Sequence, residues 1–433
     1  MRILNVSNLY PPHYIGGYEL ICYMATQELR ARGHEVRVLT SDHAVAGSEP
    51  TSELGIERTL RIHGYFGHPW LGIRDLAKLE LHNNAALRRA VAEFQPDVVY
   101  VWNLGGISKS LLHTLDRLGV PVAFYLSDHW IARSLDADVW LDWWNRRAMS
   151  LPARILRFLW QATGTRRRFD AIAPTVPARS ATFRRISFCS QALKQLTLRK
   201  GFAVGHAQVI HCPVNIARFR GEPAGAEQPV RRLLYVGRLS EDKGVMTALR
   251  ALALLQGRFD GELRIYGKGD EAYTRSLQAF VNEHALPVSF HSATMAEMPE
   301  VYRSHDALIF TSEWEEPFAL TPLEAMASGL PVIGTTTGGS AELFRHGANA
   351  LTYAAGNAEA LADCIDQLVN QPAQREAMAR QGQRDVSARC SENIIVDQIE
   401  QFLSDTITSW PTTVSDESRA HYLAKLQFQP AIA

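Results

Sequence analysis

The feature that most constrains this chain is an alternation of short apolar runs and amphipathic segments that runs through once and then starts again. Near the N-terminus "RILNVS" (2–7) reads as a buried strand. Leu20, Ile21, Met24 and Leu29 make a helical stripe, and Val36, Val38 and Leu39 open the next strand. Gly33 suits the position just past the end of that helix. "DVVYVW" (97–102) and "VPVAFYLSD" (120–128) are further strands after helical stretches. Near residue 231 the cycle restarts with the strand "RRLLYVGRL", the helix "VMTALRALALLQ", the strand "GELRIYG", the helix "EAYTRSLQAFVNEHAL" and the strand "VSFHS". The strand "DALIFTS", the helix "PLEAMAS", the strand "PVIGT" and the helix "AELFRHG" follow. Such alternation predicts parallel sheets with crossover helices.

A chain of 433 residues is too long for one ordinary core. We therefore expect an α/β architecture of two Rossmann-like, doubly wound domains facing a central cleft. The expected N-terminal domain spans 1–222 and the C-terminal domain 223–408, with "GEPAGAEQP" (221–229) as linker and 409–433 as a final tail that packs back on the N-terminal domain. Ligands of such sheets sit beyond the carboxyl ends of the strands.

Net charge is zero, so bulk electrostatics selects no partner, and no nucleic acid is expected. The five cysteines, Cys22, Cys189, Cys212, Cys364 and Cys390, are scattered and lack a C-x-x-C pair, which suits a reducing compartment. "MRILNVSNLYPP" does not read as a signal peptide, and no apolar stretch is long enough for a membrane span. The expected location is cytoplasmic, at most peripheral at the inner face of a membrane.

Chemistry concentrates in the second half. "VGRLSEDKG" sets Arg238 directly after a strand and Lys243 five residues on, a planar fork of donors and a mobile point charge that together suit a diphosphate. In "EWEEPFALTPLEAMASGLPVIGTTTGGSAE" (313–342), Glu316 and Glu324 flank a proline-bounded turn into a helix. Thr321, Pro322 and Glu324 also spell a capping box, which would make Glu324 a purely local helix-start residue. The functional reading is that the helix N-terminus attracts an anion while the carboxylates accept hydrogen bonds from sugar hydroxyls.

"EPFALTPLE" resembles the paired-glutamate motif of the retaining glycosyltransferases of family 4, also called group 1, which have the GT-B fold. "VGRLSEDKG", "RIYGKGD", "EAMASGLPVIGTTTGGSAEL", "VIHCPVNIARF" and "YPPHYIGGYE…RGHEVRVLT" are similar to that family in the same order along nearly the whole chain. The resemblance implies transfer of a sugar from a nucleotide diphosphate sugar, without cofactor or metal, to a glycan or lipid-linked acceptor bound by the N-terminal domain. The role it implies is in cell-envelope or exopolysaccharide assembly. By position it implies that Glu316 meets the donor sugar. Phe318, Ala319 and Leu320 would offer backbone N–H groups, and Glu324 would hold the ribose hydroxyls. Arg238 and Lys243 would neutralise the leaving diphosphate, and Gly16 and Gly17 would let the backbone approach the donor. In "LSDHW", Asp128 matches the family's acid, Ser127 stands where a histidine is usual, and His129 falls two places later. Asn215 stands where the family often has Asp. Base specificity is expected around Phe290–Thr294.

Other readings fit less of the chain. A dehydrogenase would need G-x-G-x-x-G after the first strand, a pyridoxal-dependent phosphorylase a dedicated lysine, and a metal-dependent transferase more than the short "DAD" of Asp136 and Asp138. A GT-B-fold epimerase and a non-catalytic nucleotide-sugar binder remain as alternatives. One stretch is set apart by charge: from Arg146 to Lys200, thirteen basic residues face the single acid Asp170, with Leu151, Ile155, Leu156, Phe158, Leu159 and Trp160 among them. It reads either as an interfacial helix on an anionic membrane surface, or as core residues with arginines turned to water or to an anionic soluble acceptor.

Overall fold

The near-continuous apolar strands form two wholly parallel sheets, the arrangement expected of strands covered on both faces. The computed structural model describes residues 1–45, 54–223 and 225–411. The first sheet contains β1 (Arg2–Val6), β2 (Glu35–Ser41), β3 (Ile56–Leu60), β4 (Val98–Val101), β5 (Val122–Leu126), β6 (Ile186–Phe188) and β7 (Gln208–Val209), in the order β3-β2-β1-β4-β5-β6-β7. The second contains β8 (Arg232–Val236), β9 (Glu262–Tyr266), β10 (Val288–His291), β11 (Ala307–Phe310), β12 (Val332–Thr335) and β13 (Leu351–Tyr353), in the order β10-β9-β8-β11-β12-β13. Each sheet reverses its winding once, between β1 and β4 and between β8 and β11. These switch points open crevices at the strands' carboxyl ends.

Two compact units result. One comprises 1–188, 194–209 and the residues from 396 on; the other comprises 189–193 and 210–395. This differs from the expected division at 222/223. The stretch expected as a linker lies inside the second unit, because buried Arg375 donates to the carbonyls of Ala226 (3.2 Å) and Gln228 (2.7 Å) and Gln383 to that of Gly221 (2.9 Å). The final helix, Glu392–Ser409, gives its residues from Val396 on to the first unit. Of the expected tail, 412–433 lies outside the described residues.

In the first unit the helix Gly17–Ala31 ends as its sequence suggests: Gly33 takes φ +87° and donates to the Arg30 carbonyl at 3.0 Å. Tyr100, Trp102 and Tyr125 are fully buried and packed ring to ring across β4 and β5. The core of the second unit joins Leu233 and Tyr235 of β8 to Val245, Leu249 and Leu252 of the helix Val245–Leu254, and to Ile265, Ile309 and Ile333 of neighbouring strands. The helix expected over "AELFRHG" is instead a short 3₁₀ turn, Gly338–Glu342. There the Asn349 side chain accepts from Arg345 N–H and donates to the Leu343 carbonyl, holding the backbone out of helical pairing. All five cysteines are buried as thiols. No described helix is long and apolar enough to cross a membrane.

Candidate active site

In the second unit the loops leaving β8 and β11 meet at the switch point. Lys243 Nζ forms an ion pair with Glu316 Oε1, and Ser312 Oγ donates to the same oxygen at 2.6 Å. Thr311 Oγ1 donates to the Lys243 carbonyl (2.7 Å) and Thr247 Oγ1 to Glu313 (2.8 Å), while Glu313 N–H donates to the Asp242 carbonyl (2.9 Å). Glycines permit this crowding. A Cβ on Gly244, at φ +64°, would lie 2.2 Å from the Thr311 oxygen; on Gly338, at φ +56°, 2.3 Å from the Glu316 oxygen; and on Gly339, 2.0 Å from the Pro317 oxygen. The "TTTGG" stretch is therefore a second wall of the same site, and Gly339 N–H donates to the Glu316 carbonyl at 2.6 Å.

Arg238 differs from Lys243. Its side chain is exposed, and among the described residues no carboxylate pairs with it. It stands beside the crowded loops as an available cation.

The helix after the motif begins at Leu320, with Ala319 as its cap and no side-chain cap bond. This overturns the capping-box reading. Thr321 and Glu324 fall inside the first turns, and the Glu324 carboxylate accepts instead from Tyr302 Oη at 2.6 Å. Burial pushes the Glu324 carboxyl up to about 7, the Tyr302 hydrogen bond opposing the shift. Among the described residues no acceptor takes the N–H groups of Phe318, Ala319 or Leu320, so they are open donors at a helix N-terminus. The Phe318 ring is buried and stacked on His211, centroids 4.7 Å apart at 11°.

A cavity of about 520 Å³ lies at the ends of β9 and β10, lined among others by Leu239, Gly267, Gly269, Phe290, His291 and Ser292. Gly267 and Gly269 let two loops touch, since a Cβ on either would come within 1.9 and 1.8 Å of the Gly237 and Leu239 oxygens. Phe290, His291 and Ser292 of the expected base-specificity stretch face this cavity.

In the first unit the expected residues again stand at carboxyl ends of strands. Gly16 caps the helix Gly17–Ala31, and its N–H donates to Glu19 at 2.9 Å. A Cβ on Gly16 would meet only Glu19, at 3.8 Å, and φ is −148°, so neither a clash nor the backbone demands glycine there. Asp128 follows β5 and accepts from Trp130 N–H at 2.8 Å; burial pushes its carboxyl up to about 6. Burial likewise raises Glu19, and the nearby Asn103 side chain opposes the shift at both carboxyls. Ser127 Oγ is buried with no hydrogen-bond partner among the described residues, and His129 is buried. Glu19, Asn103 and Tyr302 were not singled out from the sequence. Glu19 alone had a signal, an acid two places after the glycine pair.

The "DAD" acids have structural duties. Asp136 is forked onto Arg179 (2.6 Å), while Asp138 caps the helix Val139–Asn145 through Leu141 N–H (2.8 Å) and takes Lys109 N–H (3.0 Å). Asn215 likewise caps the short helix Ile216–Phe219 through Arg218 N–H at 2.8 Å.

Two sequence profiles divide the chain between them. One, described as glycosyltransferase family 4, matches residues 15–218; the other, glycosyl transferases group 1, matches 222–385. The chain belongs to glycosyltransferase family 4. An uncharacterized glycosyltransferase of Methanocaldococcus jannaschii is 28% identical to this family 4 chain over 182 residues, 41% of this chain and 46% of that protein. Glycogen synthase of Mycobacterium tuberculosis is 25% identical over 88% of this chain and 89% of its own. The alignments to the first curated relatives thus span about half of those proteins' length. Among solved structures, Anabaena HepE, crystallised with UDP-glucose, superposes with a TM-score of 0.65 at 20% identity, covering 94% of this chain and all of that one. That likeness establishes the GT-B fold for this family member.

Proposed function

We propose that the protein is a retaining, metal-independent glycosyltransferase that moves a sugar from a nucleotide diphosphate sugar to an acceptor hydroxyl. The observation that carries this reading is the convergence at the β8/β11 switch point of an available Arg238, the Lys243–Glu316–Ser312 cluster and the open helix N-terminus at Leu320. The diphosphate takes Arg238, Lys243 and the open N–H groups, which stabilise charge as the bond from the anomeric carbon to the phosphate oxygen breaks. Glu316, fixed by Lys243 and Ser312, accepts from the donor sugar's hydroxyls. Glu324 accepts from the ribose, and the β9/β10 cavity takes the base. Gly16, Gly17 and Asp128 are the first unit's contribution, the glycines by leaving room and Asp128 by holding a carboxyl whose charge is tunable near neutral pH. A new bond forms to the acceptor oxygen, whose proton is released, and nucleoside diphosphate leaves. The acceptor is a glycan or a lipid-linked glycan of envelope or exopolysaccharide assembly; the excess of basic residues within 146–200, thirteen against the single acid Asp170, supports that choice.

A panel of nucleotide sugars, assayed for nucleoside diphosphate release with and without glycan acceptors, tests the reading. At least one donor turns over, proton NMR of the product shows the donor's anomeric configuration, and EDTA leaves the rate unchanged. Donor binding without any turnover would make the protein a nucleotide-sugar binder, and an inverted product would remove the retaining mechanism. Loss of activity in EDTA with recovery in Mn²⁺ would remove the metal-independent one.

A further inference from the structure

We propose that the outward face of the helix Leu151–Ala162 docks the protein on an anionic lipid bilayer. The proposal is independent of the transfer reaction, since none of its residues is placed in the donor site. The helix is apolar on two sides. Its inner side is already satisfied: Trp160 packs against Trp143 (5.2 Å between centroids) and Phe169 (5.2 Å), and Arg157 reaches under the helix to the Trp143 and Arg146 carbonyls at 3.2 and 2.8 Å. Its outer side carries Leu151, Ile155, Phe158 and Leu159, spaced to share one helical face, with exposures of 66, 51, 68 and 50%. No residue of this helix is buried, so the reading of these four as core is excluded. They are four of the nine strongly exposed large apolar side chains among the described residues.

Charge selects the occupant. Arg154, one turn from Leu151 and Phe158 on the same helix, is exposed, as are Arg147 just ahead of that helix and Arg167 and Arg168 on the following helix Thr165–Ile172, and among the described residues none of the four pairs with a carboxylate. The nearby acids are already engaged, Asp142 by Arg146 and Asp170 by Arg117. A second copy of the chain in a two-fold contact would bring the same arginines against these, which like-charge repulsion opposes. An anionic headgroup layer supplies the opposite charge, and the acyl boundary beneath it receives the four apolar side chains.

Flotation of the full-length chain with phosphatidylcholine vesicles, with and without phosphatidylglycerol, decides the matter. Binding appears on the anionic vesicles, weakens in high salt, and falls roughly fivefold for each arginine removed in R154Q, R167Q and R168Q. The double variant I155S/F158S loses about tenfold or more in affinity with an unchanged melting temperature, because both side chains already face water. The arginine variants keep the test valid if the serine variant melts early. No binding to anionic vesicles at low salt, equal binding to neutral ones, or a solution dimer dissolved by I155S/F158S would overturn it, the last by assigning the face to a second copy.

Discussion

Glu324 sets stability against function within one side chain. Its carboxyl titrates near 7 in the folded chain, raised by burial from an ordinary value of 4.5. Between those values the unfolded chain has lost a proton that the folded one keeps, so this group's contribution to stability falls as pH rises from 4.5 through 7. Glu324→Gln keeps an acceptor for Tyr302 Oη and removes the charge. The variant should therefore melt higher than wild type at pH above 7 and equal it near pH 4.5. Nucleotide affinity should move the other way: weaker for Glu324→Gln at alkaline pH, and weaker for wild type as the carboxylate is protonated below about 7. Calorimetric melting and nucleoside diphosphate titration across pH read the two effects separately, and unchanged nucleotide affinity in the variant would remove the ribose role. Arg238 and Lys243 make a contrasting pair. Arg238→Ala removes an exposed cation, so the melting temperature should hold while turnover drops by roughly 10²-fold. Lys243→Ala also leaves Glu316 without its ion-pair partner, so it should lose comparable turnover and some stability as well. Wild-type rates in both variants would sink the diphosphate clamp.

At the scale of elements, what the sequence made legible was what repeats. The strands that show as apolar runs, Arg2–Val6 and Ala307–Phe310 among them, stand where those runs place them, because burial on both faces leaves few polar interruptions; Ile56–Leu60, Ile186–Phe188 and Gln208–Val209 are too short or too polar to stand out and were missed. Helix starts were less legible. "TPLE" spells a capping box, yet the helix starts one residue before Thr321, and the acid that should have turned back to the helix end is drawn to a tyrosine from the helix Met298–Arg303. That tyrosine carried no local signal, since its role depends on a contact 22 positions away in sequence. Arg238, Lys243 and Glu316 could be singled out because charged side chains directly after a strand are unusual choices for an ordinary loop, whereas the two glycines of "TTTGG" were not singled out, since what demands them is a contact with the backbone of Glu316 and Pro317. Gly338 and Gly339 give the element-scale prediction. Each alanine variant forces a methyl to about 2 Å from the backbone that carries Glu316 and Pro317. Gly338→Ala should cost roughly 2–4 kcal/mol of stability, by clash and by its positive φ together, and should lower turnover beyond what the melting shift explains. A variant with wild-type melting and turnover would show that the loop around Glu316 yields freely.

Across the whole molecule, the partition of the chain was the part least visible in its sequence. Glycine, proline and alanine at 221–229 suggested a hinge, but composition does not report that a buried arginine on a later helix binds that segment's carbonyls. Nor does it report that the chain returns to its first unit at Val396. Within that unit the returning helix buries Val396, Ile399, Phe402 and Leu403, each at most 2% exposed. Arg32 meets Asp397 (2.6 Å) and Glu400 (3.1 Å), and Arg185 lies over the Phe402 ring at 5.3 Å. Four such side chains contribute roughly 6–12 kcal/mol by burial, an upper estimate. A domain's entire net stability is about 5–15 kcal/mol. The exposed ion pairs add little to this, so the apolar face decides the outcome. A chain ending at residue 395 should therefore lose the cooperative melt of its first unit and aggregate, even though every strand of that sheet is present. The single substitution Phe402→Ala in the full chain should lower stability by about 3–5 kcal/mol and leave nucleoside diphosphate binding intact, because Arg238, Lys243, Glu324 and the β9/β10 cavity, the groups assigned to the nucleotide, lie on the other unit. Near-UV circular dichroism during thermal melting follows the first, and melting combined with nucleoside diphosphate titration follows the second. A soluble fragment 1–395 with an unchanged melt would show that the returning helix rests on a unit that is already complete.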